Sequence, residues 1–435
     1  MKPAGSTPSI APLLAVNFVG TMGFSIVTPF LVVLVTQWGG NAVVYGILAA
    51  TYSVFQLLGA PILGRMSDRI GRRRVLMLSQ FGTLASWGVF LIAFAVPDAA
   101  LFDVQSRWVG DFALTLPLVI LFLARAADGL TGGNVSVSNA YLADITPEAD
   151  RARNFGQMAV SGNLGFIAGP ALAGLLGATL LGNVLPVLAA FAISAVALGL
   201  IRFGLVDVAP ASITSSLEAP TPCDLYGQEH RPAYDIACHK PDGIGAILAI
   251  PGMRRLMAVN FLVMLGFSFF YVAFPVHAVE GLDWTVTDIG SFFAALSLAM
   301  ILVQGPVLAR ASTRWSARAL MSFGGLALAL GFLTLASLET VFVYTGAVLI
   351  ALGNGLMWPT FMSVLSQAAG TRLQGAVQGY SQSAGAVASI AGLVAGGVLY
   401  VPMGAALFPV AGVVIAAAAI VIGGYRSPPT TPEPA

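Results

Sequence analysis

The chain has 435 residues, of which 57% are hydrophobic and only 9% charged, with a formal net charge of +1 and a mean hydropathy of +0.87. Soluble domains carry roughly 25% charged residues, so this composition excludes a single water-surrounded core, and the near-zero net charge gives no footprint for nucleic acid. What remains is a bundle of helices in lipid, each satisfying its own backbone hydrogen bonds.

In chain order, apolar runs of about 20 residues predict spans over 12–36, 43–64, 75–96, 114–139, 155–178 and 184–204. The first run follows a single lysine and has no good cleavage site, so it reads as a span rather than a signal peptide. A polar stretch from about Asp207 to Gly243 follows, containing Pro210, Pro220, Pro222, Pro232 and Pro241. Beyond it come 256–278, 288–309, 319–338, 341–366, 377–400 and 404–425. The expected fold is an all-α integral membrane protein of twelve spans in two pseudo-symmetric six-helix bundles, 1–206 and 256–425. An interdomain loop (207–255) and a tail (426–435) complete the chain.

Basic residues set the orientation. With the N-terminus inside, Lys2, Arg65, Arg69, Arg72, Arg73, Arg74, Arg151, Arg153, Arg202, Arg231, Lys240, Arg254, Arg255, Arg310, Arg314, Arg318, Arg372 and Arg426 all fall on one side. That is 18 of the 20 Lys and Arg. Arg107 lies opposite and Arg125 within a span. Both termini are therefore expected in the cytoplasm, with the chain multi-pass in a bacterial inner membrane.

The halves repeat. Pro61-Ile-Leu-Gly-Arg65-Met-Ser67-Asp-Arg69 aligns with Pro306-Val-Leu-Ala-Arg310-Ala-Ser312-Thr-Arg314, and Arg73 with Arg318. Ile167-Ala-Gly169-Pro170 and Gly174 align with Ile390-Ala-Gly392-Leu393 and Gly397. Copies packed face to face leave a central cavity at mid-membrane, where transporters hold substrate. The second copy lacks Asp68 and Gly71, replaced by Thr313 and Ser316, while its arginines persist.

These residues carry a resemblance. Gly64-x3-Asp68-Arg69-x-Gly71-Arg72-Arg73 between spans 2 and 3 resembles the signature loop of the major facilitator superfamily. Arg125-x3-Gly129-x2-Gly132-Gly133 is similar to its helix-4 motif. Gly165-x3-Gly169-Pro170-x3-Gly174 resembles the motif of its proton-driven antiporters, and Gly20, Gly23 and Pro29 resemble its twelve-helix drug:proton branch. Tyr141-Leu-Ala-Asp144 and Gln378-Gly379-x2-Gln382 look closest to tetracycline-type exporters. Those exporters carry a helix-1 acid where this chain has Gly20, which puts tetracycline itself and the usual proton route in doubt.

The resemblance implies that the Gly64–Arg73 loop holds the cytoplasmic side shut. Asp68 is expected to meet the positive end of span 11, a contact worth ~0.3–1 kcal/mol and up to ~2 when partly buried. Asp144 is the expected partner of Arg72 or Arg73. The plainer reading is a positive-inside anchor. Gly165, Gly169, Pro170 and Gly174 form a small-residue stripe that permits close contact and a bend.

Arg125 and Asp128 are the deepest charges, three residues apart on one helix face. Each costs ~2.5–3.5 kcal/mol at the bilayer centre, so such groups face a cavity or each other. They read either as the site of proton uptake and release or as a permanent ion pair. Asn17, Thr21, Gln56 and Asn134 are candidate substrate contacts in the first half, with Asn260, Phe269, Tyr271, Asn354, Trp358, Gln378 and Gln382 in the second. Isolated polar residues in spans more often bond a neighbouring helix, so the concentration of these on spans 1, 4, 7, 10 and 11 is the better argument. His277 reads as an interfacial histidine. Cys223, His230, Cys238 and His239 match no standard zinc spacing.

The function expected is proton-coupled efflux of small amphipathic, drug-like compounds, with the substrate, protons and the bilayer as partners, no cofactor or metal, and a monomeric chain. An importer or lipid flippase on the same fold is the alternative, and a non-transporting receptor or scaffold another. No catalytic constellation or nucleotide-binding loop is present, so an enzyme is not expected.

Overall fold

The computed structural model describes residues 9–132, 134–146, 150–177, 179, 182–206 and 244–424. The side chains of Arg65, Asp68, Arg69, Asn134 and Gln378 lie outside the described residues, as do Lys2, Arg426 and the central segment with Cys223, His230, Cys238 and His239.

Span 1 comprises Ala11–Ser25 and Thr28–Gln37, interrupted just before Pro29. Span 2 is Ala42–Ile70 and span 3 Arg72–Ala93. Span 4 is broken into Leu116–Thr131 and Asn134–Ile145, span 5 is Arg151–Gly177 and span 6 Val184–Gly204. In the second half span 7 is Met253–Glu280, and span 8 is Val286–Leu302 continued through a wide π turn (Val303–Val307, containing Pro306) and Leu308–Ala311. Span 9 is Ala317–Thr334, spans 10 and 11 share the uninterrupted helical stretch Thr340–Met403, and span 12 is Leu407–Gly423.

Among the described residues ten stretches are long and apolar enough on their own to cross a bilayer. One of them, Gly379–Gly423, is 45 residues long and breaks at Gly404, so it supplies spans 11 and 12. Adding the interrupted span 4 completes twelve. The 64 residues of Thr340–Met403 would reach about 96 Å if straight, three times the hydrocarbon thickness. They double back instead: Tyr344 packs 6.0 Å from Trp284, and Tyr400 at the other end lies within electrostatic reach of Glu280.

One element lies beyond the helices. Strands β1 (Ala100–Val104) and β2 (Phe112–Thr115) pair antiparallel between spans 3 and 4. This hairpin is fixed to the turn between spans 1 and 2. Ala113 N–H donates to Gly39 O at 2.9 Å, and Asn41, whose carbonyl oxygen caps span 2, donates its amide to Val109 O at 2.8 Å. The hairpin marks one membrane face. The helix ends nearest the two termini mark the opposite one, the terminal face.

The halves meet closely on the hairpin face. A Cβ added to Gly46 of span 2 would lie 3.2 Å from Cα of Gly397 in span 11, and one added to Gly174 of span 5 would lie 3.3 Å from Cα of Gly290 in span 8. Thr287 donates across the second seam to Gly174 O at 3.0 Å. Gly174 and Gly397 are the positions equated by the repeat, so each half contributes the same glycine to a seam. Toward the terminal face these four helices lose their cover. A Cβ added to Gly64, Gly156, Gly305 or Gly379, the glycines of these helices toward that face, would meet no described atom within 4 Å. The structure is closed at the hairpin face and splayed at the terminal face.

Candidate functional site

The break in span 4 shapes a polar chamber inside the first half. A helix end buried in lipid must have its carbonyls satisfied. Here span 3 supplies Ser79, whose hydroxyl donates to Thr131 O, and span 2 supplies Gln56, whose amide donates to Gly132 O at 3.1 Å and to the Tyr52 hydroxyl at 3.1 Å. Gly129 allows this closeness, because a Cβ there would meet Tyr52 O and lie 3.0 Å from Phe55 Cβ.

One turn before the break, Arg125 Nη1 lies 3.3 Å from Asp128 Oδ2. The two residues are only 6% and 7% exposed. The guanidinium sits 4.6 Å above the Tyr52 ring and 6.0 Å from Phe24, contacts that gain strength where water is excluded. Thr83 of span 3 shares the cavity wall with Asp128. Asp128 lines a cavity of about 260 Å³ with Asn17, Thr21, Phe24, Tyr52, Gln56, Gln80, Thr83, Trp87, Ser138, Phe166 and Ser194. Trp87 Nε1 and Arg125 Nε are buried donors without an acceptor among the described residues.

Of the residues singled out in the sequence, the structure brings Asn17, Thr21, Gln56, Asp128 and Arg125 together around this chamber. It gives the helix-1 asparagine a further task. Asn17 donates its amide to Met158 O of span 5 at 2.8 Å, and Asn260 donates its own to Ser381 O of span 11 at 2.7 Å. These are one contact made twice. Gly162 lies one turn beyond Met158 and against Asn17, while Gly385 lies one turn beyond Ser381 and against Asn260. In the same register Gly169 abuts Ser25, and Gly392 abuts Ser268. Gly165 likewise lets span 5 approach Phe18 O, where a Cβ would be 2.6 Å away.

In the second half Asn354 faces Met300 Sδ at 3.9 Å, and Trp358 stacks on Phe361 at 5.5 Å. Phe269 is buried, whereas Tyr271 and Gln382 are exposed. These five form no single cluster with the first-half chamber. His277 is buried against Phe408. The chamber also takes Phe24, Tyr52, Ser138, Phe166 and Ser194, which nothing in the sequence singles out, and Gln80, Thr83 and Trp87 of span 3. The last three recur at i, i+3 and i+7, a polar stripe on one helix face that would have revealed them.

At the terminal face, Gly71 turns the chain between spans 2 and 3 with φ 103°, a region that favours glycine. Arg72 folds back beneath the turn. Its Nε bonds Asp144 Oδ2 at 2.9 Å and its Nη1 bonds Ser67 Oγ at 2.6 Å, while Ser67 donates to Gly64 O at 2.7 Å. Asp144 thus pairs with Arg72. Arg73 instead donates to the carbonyls of Ile201 and Arg202 at the end of span 6.

The chain matches the Major Facilitator Superfamily profile over residues 13–250 and 256–435. It is 28% identical to the class C tetracycline resistance protein of Escherichia coli, covering 80% of this chain and 78% of that one. It is 27% identical to the class E protein of the same organism, over 84% and 81%. Among solved structures it is similar to the human organic anion transporter MFSD10 (TETRAN), with a TM-score of 0.63 at 20% identity over 95% of this chain and 98% of the other. Twelve spans in two repeated bundles, a broken arginine-bearing span 4 and a profile match over nearly the whole sequence lead to one conclusion: the chain belongs to the Major Facilitator Superfamily and is a membrane transporter of small molecules.

Proposed function

We propose that the protein exports small amphipathic compounds in exchange for protons, by alternating exposure of its interior to the two sides of the membrane. The observation that carries this reading is the buried Arg125–Asp128 pair on the wall of the polar chamber. A permanently neutral ion pair would serve packing alone, yet this one lines a cavity and shares it with aromatic faces from Phe24, Tyr52, Trp87 and Phe166. Such a wall suits a compound with both a ring system and polar groups. Asp128 takes up and releases the coupling proton as its contact with Arg125 changes. The likeness to tetracycline resistance proteins supports the outward direction.

The terminal face is the cytoplasmic one on this reading, because almost all arginines lie there. The splayed arrangement is then the inward-open state, and the Gly64–Arg74 corner with Asp68 works the cytoplasmic gate. The test is substrate-panel uptake into inverted vesicles with and without a pH gradient. Uptake should collapse when the gradient is removed and when Asp128→Asn is introduced. Uptake indifferent to both would sink the proposed coupling.

A further inference from the structure

The corner where span 7 begins beside the end of span 12 bonds its arginines differently from its twin in the first half. The repeat makes the two corners comparable. Pro12 of span 1 lies against Gly204 at the end of span 6, and Arg255 of span 7 lies against Gly424 at the end of span 12. In the first-half corner a single arginine serves the exposed carbonyls: Arg73 donates to Ile201 O and Arg202 O. In the second-half corner that task falls to Arg255, which donates to Gly424 O. Arg318, which the repeat sets against Arg73, is thereby released. It is exposed, with no hydrogen bond or ion pair among the described residues. Arg254 makes one bond, from Nε to Leu248 O at 3.2 Å, and is otherwise exposed.

The three arginines line one basin of about 840 Å³, and among the described residues no acidic one is in its walls. Gly252, in the left-handed region at φ 82°, turns the chain so that the 28-residue helix of span 7 starts in the basin. Met253 and Arg255 of that first turn already donate to Ile250 O and Gly252 O, so the helix start favours an anion through its dipole rather than through a set of free donors. Two further features place the basin at the edge of the bilayer. Leu248 and Ile250 give it an apolar side. Trp315, exposed and edge-on to Phe323 at 5.4 Å, stands three residues before Arg318, and tryptophans in this setting mark the headgroup level.

We propose that this basin binds the phosphate group of an anionic phospholipid from the leaflet at the terminal face. The guanidinium of Arg318 and the free edge of Arg254 hold the phosphate, Arg255 adds charge while tying span 12, and the apolar side receives the glycerol and upper acyl chain. A soluble phosphate has no use for that apolar side.

The test incubates purified full-length protein with equal amounts of dioleoylphosphatidylglycerol and dioleoylphosphatidylcholine and counts retained lipids by native mass spectrometry. A charge-assisted hydrogen bond from a guanidinium to the phosphate is worth roughly tenfold, and only the basin arginines would make one. The wild type should therefore prefer phosphatidylglycerol, and Arg254→Gln/Arg255→Gln/Arg318→Gln should lose that preference by about tenfold or more. Arg318→Gln alone breaks no bond and should still lose several-fold. The control Arg310→Gln/Arg314→Gln, on the same face outside the basin, should keep the preference. Equal loss in the control, or undiminished preference in Arg318→Gln, would overturn the site. Displacement of the lipid by millimolar glycerol 1-phosphate would overturn the lipid and assign a soluble phosphate instead.

Discussion

For Arg125 and Asp128, the packing role and the proton role make opposite predictions for one double substitution. Breaking a buried pair by removing one partner costs about 3–5 kcal/mol, whereas replacing both with apolar residues of similar size is often neutral. Arg125→Leu alone should therefore lower thermal stability sharply, and Arg125→Leu/Asp128→Leu should restore much of it. Transport should stay abolished in the double variant. Recovery of transport along with stability would show that the pair only fixes span 4. The same logic applies at the terminal face. Arg72→Ala and Asp144→Ala should each destabilise the junction of spans 2, 3 and 4, and together they should cost less than their sum by about 3 kcal/mol. Strict additivity in thermal-stability measurements would remove this contact from the framework.

At the scale of elements, the interhelical contacts of spans 1 and 5 are repeated by spans 7 and 11, and glycine decides how close the helices come. An alanine in a helix is favoured over glycine by about 1 kcal/mol, so the sign of a Gly→Ala change depends on the space available. At Gly169 a Cβ would lie 2.7 Å from Met22 O, and at Gly392 2.6 Å from Ser268 Cβ. Overpacking of this kind costs about 1–3 kcal/mol. Both substitutions should lower the thermal midpoint, while Gly379→Ala, with nothing within 4 Å, should hold or raise it. Equal effects at all three would mean that the stripe does not set the helix spacing.

The span 5 and span 11 half of this repeat is legible in the sequence, because Gly169, Gly174, Gly392 and Gly397 stand in matching apolar contexts. The span 1 and span 7 half is written there too: Asn17-Phe-Val-Gly-Thr-Met-Gly-Phe-Ser25 and Asn260-Phe-Leu-Val-Met-Leu-Gly-Phe-Ser268 share five of nine residues, although only the bonds to Met158 O and Ser381 O show what the match is for. The chamber is only partly legible. Charges in apolar runs, Arg125 and Asp128, announce themselves, whereas Gln80, Thr83 and Trp87 are ordinary residues that only their i, i+3 and i+7 spacing sets apart. The break of span 4 is written in Gly132 and Gly133. The hairpin at 100–115 is too short and too exposed on β1 to carry an alternating pattern.

At the scale of the molecule, the two glycine seams at the hairpin face and the exposed helix ends at the terminal face describe one end of a two-state motion. On the proposed alternating access each seam opens in the other state, so weakening it should populate that state. Gly46→Val places a side chain where even a Cβ would lie 2.5 Å from Leu393 O, and backbone cannot yield as a flexible side chain does. A clash of about 1–3 kcal/mol shifts a two-state population by roughly fivefold or more. Gln382, polar and exposed on the terminal side of span 11, reports that population when replaced by cysteine in a Cys223→Ser/Cys238→Ser background. Gln382→Cys should react readily with a membrane-impermeant maleimide applied to the terminal face, and several-fold more slowly once Gly46→Val is added. Gly199→Val in span 6, with no described atom within 4 Å of its Cβ, should leave the rate unchanged, which separates seam disruption from the effect of a β-branched residue replacing glycine in a span. Should both valines slow the reaction equally, the seam would not be what holds the hairpin face shut, and the closure would have to rest on the buried aromatic and aliphatic side chains around it.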